Sequence, residues 1–460
     1  MAGIGFELRR LALGRFGLLN KSYAYACAGL ISSGPWILTV ITLVLLNIAG
    51  DGVLGVEDSR NFRALVTSAF ALSLLTVGLV QMPFTRFLSD LLYVGRHDQV
   101  LPSFTAAVAL TGAVQGASGL LFCTAGGFDA RLTLAWTALY VVVSIVWLAV
   151  AWLTVVRQYG PILLAFIAGM LTSLVSMYAL GPGNGIGGAV AAYGTGQALT
   201  LALLCRLILR GTAAARGRSF DLGRALRQYP RLVFVGFAYS AAIWVDKVVF
   251  WYSDGIGSHP LIRFHPLYDT CCFLAYLSVV PALAINLVHF ETGFYQHYRG
   301  YYAAITQGMP LREVAWRRKE MTENLWEGAG RLVRVQGAVT LAVILLAPQI
   351  LDAVAMPPGA VHVFRVACLG AFFHVGFLIT SLLLLYFDLQ KDALSSSVLF
   401  LVLNATLSVA SVKIGFAAYG SGYALAALVS LVVAFAKLTR RIGALEYETF
   451  ATHAGKPPAR

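Results

Sequence analysis

Twelve stretches of about twenty mostly apolar residues divide this 460-residue chain, and few features restrict a fold more tightly. They fall at roughly 22–48, 64–87, 103–125, 132–155, 161–181, 188–209, 231–251, 267–289, 331–351, 362–387, 394–413 and 418–438. About twenty residues of helix, rising 1.5 Å each, cross the roughly 30 Å of a bilayer's hydrocarbon core. Hydrocarbon offers backbone groups no water, so each run must close its own hydrogen bonds as a helix. With 58% hydrophobic and 12% charged residues and a mean hydropathy of +0.76, the chain lacks the polar surface to coat a water-soluble globule.

The runs are organised as two copies. Residues 191–199 read AAYGTGQAL and residues 417–425 read AAYGSGYAL, identical at seven of nine positions. Each copy is expected to open the last helix of its half. Internal duplication in a very apolar chain is the mark of transporters whose substrate path runs between related lobes. The expected fold is therefore an all-α integral membrane protein, twelve transmembrane helices in two pseudo-symmetric six-helix lobes around a central cavity. Pro83 and Pro281, in the second span of each half, predict matching kinks. The Gly-rich stretch 181–188 (GPGNGIGG) follows no strand and reads as a turn rather than a phosphate loop.

Basic residues are retained on the cytoplasmic side of a membrane. Placing the N-terminus inside puts 27 of the 34 Lys and Arg on that side, among them Arg9, Arg10, Arg15 and Lys21, the arginines from Arg206 to Arg231, and those from Arg299 to Arg334. Both termini are thus expected on the cytoplasmic side of the membrane. The net charge of +13 reads as topology and attraction to anionic headgroups, not as a nucleic-acid surface. Residues 1–21 carry no evident cleavable signal and suit an amphipathic segment on the inner leaflet, or a disordered tail. Residues 22–209 form the first lobe, 210–230 a basic linker, 231–438 the second lobe with a cytoplasmic loop over 290–330, and 439–460 a tail. A loop helix is expected to begin at Pro310, with Glu313 in its first turn. The six cysteines all fall within spans, without CxxC or clustered His spacing, so neither disulfides nor a metal or other cofactor is expected.

Polar and aromatic residues at membrane depth are the functional candidates. Ser22, Tyr25, Gly29, Ser32 and Trp36 share one face of the first span, next to Ser33. That face either packs helices or lines a wet path suited to sugar hydroxyls and rings. In the seventh span Asp246 and Lys247 are framed by Trp244 and Trp251, with Tyr239 two turns earlier. Adjacent helical residues point about 100° apart, so the two charges need not pair with each other. They either lock helices together, meet substrate, or titrate. Arg86, Asp269, Asn286, Arg365 and His374 complete the pathway candidates; the two arginines also suit snorkelling to the interfaces, and the histidine an interhelical hydrogen bond. Phe290, Phe294, Tyr295, Tyr298, Tyr301 and Tyr302 crowd the exit of the eighth span as an interfacial belt. With Arg312, Trp316, Arg317 and Arg318, Tyr298 forms a candidate docking face for a cytosolic partner.

Three segments carry a resemblance: the opening MAGIGFELRR, AYACAGLISSGPW at 24–36, and IWVDK at 243–247 resemble the PelG family, the membrane subunit of bacterial Pel exopolysaccharide machinery. The likeness extends over the whole length. It implies the fold of the multidrug, oligosaccharidyl-lipid and polysaccharide flippase superfamily, in which the sixth and twelfth helices correspond. It further implies export of a largely neutral polymer rich in N-acetylgalactosamine, made by a PelF-like cytosolic glycosyltransferase, with PelD- and PelE-like membrane proteins as partners. It does not say which residues touch glycan. The competing readings are an ion-coupled flippase of lipid-linked sugars or drugs with a titrating Asp246, a membrane-embedded polymerase, which the short external loops disfavour, and a scaffold for the synthase.

Overall fold

The computed structural model describes residues 54–155, 159–180, 183–211 and 222–445, with isolated positions between 28 and 42. Eleven helices among the described residues are long and apolar enough to span a membrane, and they coincide with the second to twelfth expected spans. The first span lies mostly outside the described residues.

The first half comprises Val56–Tyr93, Val100–Ala125, Ala130–Val155, Tyr159–Leu180 and Gly185–Gly211. Its core has two tiers, one around Phe62, Trp136 and Tyr193 and one around Phe84, Phe104, Trp152 and Leu204. The Trp136 indole donates to the Leu65 carbonyl at 2.9 Å, pinning two helices. The second half builds a single core around Phe250, Tyr268, Phe364, Phe377 and Phe400 from Pro230–Ser253, Pro266–Leu277, Leu311–Leu345, Ala360–Tyr386, Gln390–Ile414 and Ser421–Gly443. Between the seventh and eighth spans, Ile256–His259 and Ile262–Phe264 pair as an antiparallel hairpin that the sequence reading missed.

The nine-residue repeat has a packing cause. A Cβ on Gly196 would meet Gly169 O at 2.3 Å and Ser173 Oγ at 2.0 Å on the preceding helix. One on Gly422 would meet Leu407 C and O at 2.5 Å on its own preceding helix. The second glycine of YGxG thus lets the last two helices of each lobe touch backbone to backbone. The two copies nevertheless start differently. The first lies wholly inside Gly185–Gly211, whereas in the second a 3-10 turn over Phe416–Ala418 and a left-handed Gly420 (φ 84°) precede the helix at Ser421. The expectation that both copies open a helix holds only for the second.

The prolines also part company. Pro83 sits within the unbroken helix Val56–Tyr93, while Pro281 follows a real break at Ser278 and Val279. Gln336 of the ninth span, fully buried, repairs that break: its Oε1 accepts from Ala282 N–H at 3.1 Å and its Nε2 donates to Ser278 O at 2.8 Å. Non-helical backbone at membrane depth survives only with such partners. The stretch 290–330 is no separate loop. The eighth helix continues through a π-helical segment, Asn286–Phe294, to Thr306, and the helix capped by Pro310 runs straight into the ninth span as Leu311–Leu345. Phe290, Phe294 and Tyr301 are buried in the core of the second half instead of forming an interfacial belt.

The halves meet along the second and seventh spans. At the hairpin end Arg63 lies over the Phe264 ring, 6.0 Å from its centre, and Trp244 and Trp251 pack into the first half's core. Midway, Gly78 and Gly236 bring the two backbones together, a Cβ on Gly236 lying 2.0 Å from Gly78 O. At the opposite, basic end the Tyr229 hydroxyl donates to Asp90. On another side of the contact, Gly29 of the first span faces Val280 and Ala284.

Candidate functional site

A buried polar network in the second half is centred on Asp246 and Lys247, both essentially inaccessible. Of the arrangements that helical geometry leaves open, the neighbours adopt mutual pairing, the Lys247 ammonium lying 3.0 Å from Asp246 Oδ2 and 3.3 Å from Oδ1. Cβ directions differ by about 100°, but four methylenes let lysine curl back along its helix. The ammonium also donates to Ile243 O at 3.1 Å and the Tyr276 hydroxyl at 3.3 Å, and sits over the rings of Tyr276 and Tyr423. The carboxylate receives the Tyr268 hydroxyl at 2.8 Å and Asn404 Nδ2 at 3.3 Å. Every hydrogen bond to Asp246 comes from a donor, and every one from Lys247 goes to an oxygen. The geometry is that of an ionised pair stabilised from three neighbouring helices.

His374 extends the network. Its two ring nitrogens contact the Tyr239 hydroxyl at 3.1 Å and the Tyr423 hydroxyl at 2.9 Å, joining the seventh, tenth and twelfth spans. The sequence reading placed Asp246, Lys247, Tyr239 and His374 among the candidates but missed Tyr268, Tyr276, Asn404 and Tyr423. The available signal was Asn404, the one side-chain amide in its expected span, and the one non-conservative difference between the repeats, Gln197 against Tyr423. The first half answers with a small neutral cluster in which Gln115 Nε2 donates to Thr76 Oγ1, which lies 3.3 Å from the Tyr140 hydroxyl.

The remaining candidates are dispersed. Asp269 is buried near the hairpin end, where Oδ2 accepts from the Trp251 indole at 2.8 Å and from His265 N–H at 3.0 Å. His265, just outside the eighth span, accepts in turn from Tyr268 N–H through Nδ1, and burial lowers its pKa below the ordinary imidazole value. Trp244 is buried against Trp251. Asn286 donates to Glu291 Oε1 at 3.1 Å within the π-helical segment. Arg365 is exposed and donates to Ile344 O. Ser33 is buried and donates to the Gly29 carbonyl at 2.6 Å, while Tyr25, Ser32 and Trp36 lie outside the described residues.

At the basic end Arg86 pairs with Asp90 at 3.5 Å and stands 6.0 Å from the centre of the Tyr229 ring. Nearby in the second half, the rings of part-exposed Tyr298 and Tyr302 lie 4.7 Å apart, tilted by 53°, and Tyr298 also contacts Tyr386 and Phe387. Asp388, next in line, holds a left-handed backbone (φ 57°) that a non-glycine residue adopts at a cost. Arg86 and Asp388 are both within electrostatic reach of Tyr298. Farther along, Trp316 is half exposed with the Arg317 guanidinium 4.8 Å from its ring centre and Arg317 bonded to Glu313. Arg312 shares a shallow surface depression with Trp316, and Arg318 follows on the same helix.

Among solved structures, the fold is similar to that of a MATE transporter in complex with MaD5, at 14% identity and a TM-score of 0.64, covering 97% of this chain and 98% of that one. It is similar too to a MOP superfamily transporter from Pyrococcus furiosus, at 15% identity and a TM-score of 0.61 over 97% of both chains. Outward-facing and inward-facing MATE structures match nearly equally, with TM-scores of 0.59 and 0.58, so the likeness fixes the architecture of twelve helices in two lobes and not the state. No curated protein matches the sequence. The sequence model of one family matches residues 1–450. The chain therefore belongs to the PelG family, described as "Putative exopolysaccharide Exporter (EPS-E)".

Proposed function

We propose that this membrane transporter exports a Pel-type exopolysaccharide, rich in N-acetylgalactosamine, from a cytoplasmic synthase across the bacterial inner membrane. The observation that carries the reading is the family match over nearly the whole chain, joined to a two-lobed transporter fold. In this reading both termini and the basic end face the cytoplasm, where 27 of 34 basic side chains would gather. A PelF-like glycosyltransferase would dock on the face carrying Arg312, Trp316, Arg317 and Arg318, with PelD- and PelE-like proteins beside it in the membrane. The part-exposed tyrosines Tyr298 and Tyr302, opposite Arg86, would receive the emerging chain, since sugars present C–H faces to aromatic rings and hydroxyls to charged groups. The chain moves polymer and does not make it.

Reconstituted with its synthase and membrane partners in sealed vesicles, the protein should deliver labelled polymer to the side opposite the nucleotide sugar. Normal synthesis with all product retained on the synthase side defeats the proposal. The competing reading, an ion-coupled flippase, draws on the presence of a carboxylate at membrane depth. The hydrogen-bonding of Asp246 speaks against it.

A further inference from the structure

One way to couple transport to an ion is a buried carboxylate that alternately takes up and releases a free cation or proton. Here the carboxylate already has a cation, and that cation is covalently attached to the next residue. The Lys247 ammonium spends its hydrogen bonds on Asp246, the Ile243 carbonyl and the Tyr276 hydroxyl, all oxygens, which are the ligands a bare monovalent cation would seek in the same place. The far side of the carboxylate is closed by the Tyr268 hydroxyl and Asn404 Nδ2. Both side chains are buried, 0% and 1% exposed.

From this we propose that Lys247 is a tethered counter-ion that occupies a monovalent-cation site permanently, so that the lobe holding Asp246 works without exchanging sodium or protons there. The other ionisable groups facing the pair are Tyr268, Asp269, Cys272 and Tyr276 from the eighth helix, His374 from the tenth and Tyr423 from the twelfth. His374 bonds the Tyr239 and Tyr423 hydroxyls rather than the carboxylate, so among the described residues Lys247 is the cationic side chain in contact with Asp246. Removing the ammonium should expose the latent site. The consequence, cation-independent transport, rests on the export reading; the test below reads cation binding directly and does not.

Full-length protein in lipid nanodiscs would be compared as wild type, Lys247→Ala, Asp246→Asn and the double variant Asp246→Asn/Lys247→Met, melted in sodium or choline chloride at matched ionic strength and across pH. The wild-type midpoint should be the same in both salts. Lys247→Ala should lose stability in choline and regain it in sodium or on acidification, a free cation or proton replacing the tethered one. Asp246→Asn should be destabilised in both salts alike, and the double variant should recover most of the lost midpoint because the charges disappear together. A wild-type midpoint that rises with sodium and ceases to do so in Asp246→Asn would overturn the proposal. So would a Lys247→Ala variant indifferent to both cation and pH, or a double variant no better than the single ones. In the vesicle assay, export without any imposed ion gradient agrees with the proposal, and export that stops only when the gradient is collapsed contradicts it. Absence of export under every condition would instead count against the exporter reading.

Discussion

Replacing Gly236 by Ala should pry the two halves apart without unfolding either. The added Cβ would stand 2.0 Å from Gly78 O and 3.0 Å from Gly78 C, both backbone atoms that no rotamer change can move. Restoring an ordinary contact of 3.4 Å requires the second and seventh spans to separate locally by about 1.4 Å. Overpacking of this kind costs about 1–3 kcal/mol. The contact lies between the halves, so the penalty falls only on arrangements in which these two spans touch. It should therefore shift the population toward separated lobes by roughly 5- to 150-fold. Spin labels on exposed Leu164 and Leu341, one in each half, would report the change as a new longer-distance population in double electron–electron resonance. Gly194→Ala is the control, since nothing lies within 4 Å of a Cβ there and the substitution favours helix. If Gly236→Ala lowers the melting midpoint while leaving the distance distribution untouched, the seam is a permanent interior and the reasoning fails.

Gly422→Ala makes the converse case: its Cβ would strike Leu407 backbone at 2.5 Å inside one lobe, so thermal stability should fall by about 1–3 kcal/mol with no change in the interlobe distance. Asn404→Ala removes donors to Asp246 Oδ1 and Ala242 O and the acceptor for Ser408; a loss of about 1–3 kcal/mol is expected in denaturant titration of the detergent-solubilised protein. The His265 pKa is lower folded than unfolded, so its contribution is present above the unfolded value, about 6.5, and declines as pH falls below it. Melting curves should show that acid-side loss, and His265→Asn, which keeps a cap acceptor, should flatten it.

The spans were legible because hydrocarbon imposes one rule on every residue of a run, and eleven of the twelve expected helices appear among the described residues. What one-dimensional reading could not supply was the partner across the fold. Asp246 and Lys247 stood out as charges in an apolar segment, yet their surroundings come from Tyr268, 22 residues on, and Asn404, 158 residues on. Their pairing stayed open because Cβ directions alone do not say where a four-methylene side chain ends. The hairpin escaped because Ile256–His259, reading IGSH, has no alternation of apolar and polar residues, and the Pro281 break looked like an ordinary kink because its repair depends on Gln336 from another span. The repeat, by contrast, announced symmetry correctly and hid its cause, two backbone contacts that only glycine allows.

The π-helical turns at Asn286–Phe294 join the helix that restarts at Val280, after the break at Ser278 and Val279, to Tyr295–Thr306. Each α-helical residue turns the chain by about 100°, and a π turn holds one residue more than an α turn, so tightening a single turn there would swing everything beyond it by about that angle. On one side of the segment lie Tyr268 and Tyr276, bound to the ion pair; on the other lie Tyr298 and Tyr302 at the basic end. Such a tightening would re-aim Tyr298 and Tyr302 while Tyr268 and Tyr276 kept their bonds to the ion pair.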